Sequence, residues 1–418
     1  MTSSSLAVAV AGLLVARFAL ETWVDLLNLK CSASGRVPPE FADLYDPERY
    51  DKAIRYQRDS TRFGLWQSAF DLATLLGFWL IGGFGALDDW ARAHGWGPVA
   101  TGLAFAGALS ALKMIVQLPW AAYATFVIEE RYGFNRTTWK TFLGDRIKGL
   151  ILGAIFGGLI FGGMIWFFES AGPHAWIYAW AAVTAFQLLL LYLAPVLLMP
   201  LFNKFNPLPD GPLKTAIDGY AAQERFQLAG MFTMDGSKRS SKANAFFTGF
   251  GRYRKLVLFD TLIAKQTPEE LTAVVAHEIG HFKLGHIPRT IALSVASTAL
   301  LFWSFSFFIG KDSGGGELLA AAFGMHQGST YATLILLGIS YGPILRLTSF
   351  FTQWLSRKHE YEADEFAART YRKPESLVMA LKKLSAENLS TLTPHPWKVL
   401  LDYTHPPVLK RIEALRGR

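Results

Sequence analysis

Seven apolar stretches near membrane-spanning length dominate this chain: roughly residues 5–25, 67–87, 97–120, 148–170, 175–199, 289–309 and 329–350. A hydrocarbon core about 30 Å thick calls for about 20 apolar residues of helix, because in lipid every backbone N–H and C=O has to be satisfied within the segment. The fourth and fifth stretches meet that demand most plainly, since Leu150 to Phe168 and Trp176 to Met199 hold no lysine, arginine, aspartate or glutamate. The first carries Arg17 and Glu21, but it lacks a basic leader and a small-residue cleavage site, so it is expected to be a retained span. A 418-residue chain that is 51% hydrophobic fits a multi-pass membrane protein better than two or three soluble domains.

Charge sets the expected orientation. The connection after the first span holds Lys30, Arg36, Arg49, Lys52, Arg55, Arg58 and Arg62, and that after the third holds Arg131, Arg136, Lys140 and Arg146. By contrast, Ser170 to His174 has no basic residue but the histidine, and Gly310 to Gln327 has only Lys311 beside a histidine. The positive-inside rule then predicts the N-terminus outside and the C-terminus in the cytoplasm. A net charge of +8 spread over inside loops argues against a nucleic-acid partner. Cys31 is the only cysteine, which excludes an intramolecular disulfide or a cysteine-based zinc cluster. Arg17, Glu21, Asp71, Lys113 and Arg346 fall inside spans, where they either pair with each other between helices or line a hydrated cavity; Arg17 and Glu21 are four apart and can pair directly.

Between the fifth and sixth spans lies His277-Glu278-Ile279-Gly280-His281. On a helix, residues four apart lie one turn above each other, so the Nε2 atoms of His277 and His281 can converge on one ion while Glu278 projects beside it. There Glu278 can take a proton from water whose pKa zinc lowers to about 7. Thr267-Pro268-Glu269-Glu270 supplies an N-cap, a proline at the first helical position and a capping-box glutamate, and Leu271, Val274, Val275 and Ile279 supply a buried face; Gly285 and Pro288 end the helix.

Two histidines leave a catalytic zinc short of a protein ligand. A helix predicted to start just past the seventh span, from Ser356 through His359 to Asp364, offers Glu360 and Asp364 on one face, with Glu362 pointing away. One of these carboxylates can bind zinc while the other holds a ligating histidine by its second ring nitrogen. Taken alone, the same acids are also what a solvated helix face looks like. Met231 to Met234, Ala243 to Phe247 and Lys255 to Phe259 read as short strands, the last two joined by a turn around Gly249-Phe250-Gly251.

Together, the His277–His281 motif, the Ser-Arg-x-x-Glu-x-x-Ala-Asp run ending at Asp364, Ser240 to Gly249, Asn203-Lys204-Phe205, and His405-Pro406-Pro407 with Arg411 resemble the type I CAAX prenyl protease family. That resemblance implies a seven-span membrane zinc metallopeptidase of the gluzincin type, whose helices enclose a water-filled chamber. It implies one Zn2+ per chain on His277, His281 and Glu360, with Glu278 as general base and Asp364 as the partner of a ligand. It further implies His405 at the oxyanion, a role the lookalike His395 lacks the downstream arginine for. Arg411 is expected to anchor a carboxylate. Asn244 and Ala245 belong, by resemblance, to a strand edge that pairs with an extended substrate; the alternative is a sheet that only supports the metal helix.

The expected fold is therefore an α-helical polytopic membrane protein with a cytoplasm-facing metallopeptidase part containing a small antiparallel sheet. Residues 1–200 form spans 1–5 and their loops, 201–288 the edge strand and metal helix, 289–350 spans 6 and 7, and 351–418 a C-terminal part with the third ligand and His405. The implied substrate is a peptide or protein prenylated near its C-terminus, in contact with the lipid bilayer, which loses its last three residues. Two other functions compete: a quality-control metallopeptidase acting on unprenylated membrane proteins, and a transporter or scaffold with a structural zinc. The latter would need four protein ligands, and only three are found.

Overall fold

A computed structural model describes residues 2–32, 36–249, 254–309 and 314–417. Six described helices are long and apolar enough to cross a membrane, or seven if one bent pair counts as a single span. They are α1 (Ser3–Ser32), α2 (Pro47–Leu80) with α3 (Gly83–Arg92), α4 (Pro98–Tyr123), α5 (Trp139–Ser170), α6 (Ala175–Leu193), and two later helices. The α2–α3 pair is the expected second span, bent by 61° at a break where Gly82 adopts φ +76°. Asp46 caps α2 by accepting from the backbone N–H of Arg49 at 2.7 Å, and the helix takes in the largely polar residues 47–66, which local hydropathy reads as loop. Pro119 removes a backbone donor from α4, and a π-helical turn follows at Ala124–Glu129. The fifth span is α-helical only to Leu193; Pro195 lies in a second π-helical turn, Ala194–Leu198.

Beyond α6 the chain leaves the bundle for a compact unit. Strand β1 (Phe205–Pro207), α7 (Pro212–Gln223), β2 (Gly230–Met234), β3 (Ala245–Thr248), β4 (Lys255–Phe259), the short α8 (Asp260–Ile263) and α9 (Pro268–Lys283) follow in order. The sheet order is β1-β2-β4-β3. The sheet is mixed rather than antiparallel, because β2 and β4 run parallel while β1 and β3 flank them antiparallel. A parallel pair needs a crossover, and the segment carrying β3 supplies it. Of the expected turn at Gly249-Phe250-Gly251, only Gly249 lies within the described residues.

α10 (His286–Ile309), α11 (Gly315–Ala322) and α12 (Thr330–Tyr371) come next, then α13 (Pro374–Glu387), α14 (Pro396–Asp402) and α15 (Val408–Arg416). The helix expected to start past the seventh span is instead the continuation of that span: α12 runs unbroken for 42 residues, across position 350 and through Asp364. Its length lets one rod pack against the bundle at one end and against α9 at the other. Two cores follow. Phe84, Phe105, Ile165, Phe323 and Tyr331 close one end of the bundle, while Leu256, Leu258, Leu271, Val275 and Ile279 bury the sheet against α9. In the sheet core each such side chain contributes about 1.5–3 kcal/mol by leaving water.

The charges inside the spans are largely paired. Arg17 donates to Glu21 at 3.1 Å, Arg346 donates to Glu21 at 2.9 Å and also meets Asp402, and Asp71 accepts from Gln117. Arg346 also donates to the carbonyl of Leu401 at 2.7 Å. Span charges thus tie α1 and α12 to α14, the helix that precedes His405.

Candidate metal centre

The metal helix is built as its sequence requires. Thr267 accepts from the backbone N–H of Glu270 at 3.3 Å, and Glu270 accepts from that of Thr267 at 2.9 Å, closing the capping box. Glu270 is further held by Lys383 of α13 at 2.7 Å. Leu271, Val275 and Ile279 are fully buried; Val274 is only partly so, and Thr272, Ala273 and Ala276 widen the buried face instead.

His277 and His281 present their Nε2 atoms 3.2 Å apart, with rings nearly perpendicular at 83°. Glu360 of α12 closes the triangle. Its Oε2 lies 3.3 Å from Nε2 of His277, and its Oε1 lies 3.3 Å from Nε2 of His281. Gly280 permits this approach, because a Cβ there would stand 3.2 Å from Cα of Ala363 and 3.2 Å from Phe366 on α12. Substituting Gly280→Val overpacks the α9–α12 contact, at a cost of about 1–3 kcal/mol. It is expected to weaken zinc binding and activity together, read by chelator competition and peptide hydrolysis, because it drives Glu360 away from the two histidines.

Asp364, one turn beyond Glu360, lies 2.8 Å from Nδ1 of His277. Arg411 of α15 grips Asp364 with two donors, Nε at 2.8 Å and Nη2 at 2.6 Å, and its Nη1 lies 3.3 Å from Glu360. Arg411 thus anchors a carboxylate. His405 enters from the loop before α15, with Nε2 at 3.3 Å from Oε1 of Glu360 and Nδ1 at 2.9 Å from the hydroxyl of Thr404. The loop is held by Arg357 of α12, which donates to the carbonyls of Val399 at 2.9 Å and Tyr403 at 2.7 Å.

The electrostatics follow from this packing. Burial opposes the charge on His277, but hydrogen bonds to Asp364 and Glu360 outweigh it and hold the ring up at about 9. Burial pushes the Glu278 carboxyl above its ordinary value, against the pull of His277 and His281. The His405 side chain stays 62% exposed beside this cluster. Glu360 Oε2 is buried and lies 3.3 Å from both Nε2 of His277 and Nη1 of Arg411, so the carboxylate is held among cationic or metal-binding groups. Two imidazoles and a carboxylate with donor atoms within 4.8 Å of one another are a donor set that zinc accepts, with a fourth position left open.

Asn244 and Ala245 stand at the start of the strand on one edge of the sheet, Asn244 exposed and Ala245 half-buried. Ala245 opens the edge strand β3, its N–H donating to the Asn244 side chain at 2.9 Å, and the carbonyl of Asn244 accepts from Phe259 at 3.1 Å. Among the described residues, no hydrogen bond joins them to the metal cluster. Sequence reasoning missed Gly280 as a packing position, Arg357 as the clamp of the His405 loop, and a second group formed by His286, His359 and Glu362. A third histidine five residues past His281 was the available signal for the last.

Comparisons with known proteins agree along the whole chain. Residues 28–204 match a family described as CAAX prenyl protease N-terminal, five membrane helices, and residues 207–418 match peptidase family M48. A CAAX prenyl protease 1 homolog from Oryza sativa subsp. japonica is 33% identical, covering 97% of this chain and 96% of its own. CAAX prenyl protease 1 of Saccharomyces cerevisiae is 32% identical over 97% and 94%, and the Homo sapiens homolog 31% over 91% and 88%. The crystal structure of S. mikatae Ste24p superposes with a TM-score of 0.91 at 32% identity, covering 98% of each chain.

Proposed function

Because the chain belongs to peptidase family M48, with the membrane region of the CAAX prenyl proteases, and is a multi-pass membrane metalloprotease, we propose that His277, His281 and Glu360 hold one zinc ion per chain for hydrolysis of prenylated C-termini. The convergence of the buried Glu360 carboxylate on the Nε2 atoms of two imidazoles carries this assignment. An ion held by these three residues would supply Lewis acidity, lowering the pKa of a bound water and polarising a carbonyl. Glu278 takes the proton of the attacking water and returns it to the leaving amine, a task its raised pKa suits. His405 donates to the oxyanion from Nε2, steered by Thr404 at Nδ1. Asp364 and Arg411 fix the ring of His277. An extended substrate pairs with the β3 edge at Asn244 and Ala245, displacing the Asn244 side chain from the N–H it now caps.

The substrate assignment rests on the relatives, which are named CAAX prenyl proteases, and a lipid tail on the substrate can stay in apolar surroundings beside the spans. The basic segments at 30–62 and 131–146 favour a centre opening to the cytoplasm, with the N-terminus outside. Farnesylated CAAX peptide and its unmodified counterpart, offered at matched zinc occupancy, test the proposal. Release of a tripeptide from the former is expected; degradation of unmodified polypeptide with the farnesylated peptide ignored points to membrane-protein quality control instead.

Proton competition gives a second expectation. Below about 9, His277 carries a proton that zinc has to displace, so apparent zinc affinity rises with pH by about tenfold per unit and flattens above that value. Chelator competition between pH 6 and 9 measures this; an affinity independent of pH contradicts it.

A further inference from the structure

We propose that His286 and Glu362 are the positioning pair of the second histidine ligand, a two-member relay that fixes the ring of His281 as Asp364 fixes that of His277. The inference rests on the zinc assignment above and extends it to residues that assignment leaves unused.

Gly285 makes the relay possible. It adopts φ +71° between the end of α9 and the start of α10, a conformation that side chains with a Cβ rarely take. The reversal brings the ring of His286 back beneath His281, with centroids 5.1 Å apart and planes at 72°. Nδ1 of His286 then lies 3.0 Å from Nδ1 of His281, and Nε2 of His286 lies 2.9 Å from Oε2 of Glu362. His286 is buried.

These distances leave one assignment of protons. A His281 that gives its Nε2 lone pair to a metal keeps its proton on Nδ1 and donates from there. Nδ1 of His286 is therefore the acceptor, its proton sits on Nε2, and that N–H donates to the Glu362 carboxylate. Each ligating histidine thus ends on an acid of α12: His277 directly on Asp364, His281 through His286 on Glu362. The helix explains the difference. Residues 360 and 364 share a face with the metal, whereas 362 points about 160–200° away and needs an intervening side chain to reach the site.

The same atoms admit another role, since donor atoms of His286, His359 and Glu362 lie within 4.8 Å of one another. Two observations argue against a second ion. The rings of His286 and His359 stack 4.0 Å apart and within 7° of parallel, so their in-plane lone pairs run side by side instead of converging. Both nitrogens of His286 are also already committed.

The test uses the full chain in detergent micelles, with zinc affinity from chelator competition and the visible spectrum of the cobalt-substituted protein. His286→Ala and Glu362→Ala are each expected to weaken zinc binding about 10–100-fold and to alter the cobalt spectrum. Glu362→Gln, whose amide oxygen still accepts from Nε2–H, is expected to retain more affinity than Glu362→Ala, and it preserves side-chain shape if the alanine variants misfold. The double variant His286→Ala/Glu362→Ala is expected to be no weaker than His286→Ala alone, because Glu362 acts only through His286. Wild-type affinity in all three Glu362 and His286 single variants, or an undiminished effect of Glu362→Ala in the His286→Ala background, overturns the relay. So does uptake of two zinc equivalents by the wild type and one by Glu362→Ala. His281→Ala serves as the control: if it binds zinc as the wild type does, the ligand assignment itself has failed and not the relay.

Discussion

Glu278→Gln is expected to bind zinc as tightly as the parent protein and to hydrolyse peptide about 10²–10⁴-fold more slowly. The substitution keeps the shape and removes only the group that can accept a proton, and positioned acid–base groups supply rate factors of that size. Zinc binding survives because Glu278 is not one of the three convergent donors. The site's charge balance also favours retention: Glu360 and Asp364 both face Arg411, so a neutral residue at 278 leaves no anion without a partner. Zinc content by metal analysis and turnover on one peptide decide the matter. Substantial hydrolysis by a fully loaded Glu278→Gln protein excludes the proposed proton transfer.

Arg411→Leu is expected to destabilise the protein and to strip zinc at concentrations that saturate the parent. Arg411 is buried, and it is the cation that Asp364 meets with two hydrogen bonds and that Glu360 meets at 3.3 Å. Removing one partner of a buried pair leaves the other desolvated without compensation, which costs about 3–5 kcal/mol. Asp364 then takes up a proton or turns toward solvent, and the ring of His277 loses its acceptor. Arg411→Lys restores the charge but offers no planar fork, so it should fall between the two. Thermal inactivation in detergent, followed with and without added zinc, measures the effect. A Leu variant as durable as the parent would show that Asp364 is held by other means.

Part of the site was legible because its logic is local. His277, Glu278 and His281 lie within a single helical turn, and the cap at Thr267 announces that helix in four residues. Glu360 and Asp364 were legible as a pair for the same reason, since a spacing of four puts both on one face. Glu362 was correctly expected to point away, but its destination was not visible, because His286 lies 76 residues earlier in the chain. Non-local pairing also decided the sheet. The parallel match of β2 with β4 depends on a crossover through β3, and alternation within each strand carries no information about a partner's direction. The length of α12 was missed because hydropathy falls where the helix leaves the apolar layer, whereas backbone hydrogen bonding continues without regard to side-chain polarity.

That length has a consequence for what can be separated from what. At 1.5 Å per residue, 42 residues reach about 63 Å, twice the depth of a hydrocarbon core. One half of the rod packs against neighbouring spans; the other half is buried against α9, and Glu360 rides on it. No cut through the polypeptide yields a water-soluble fragment holding all three donor groups, since any piece containing both α9 and Glu360 also contains α10 and the apolar half of α12. The hydrolytic centre and its anchorage are one mechanical part.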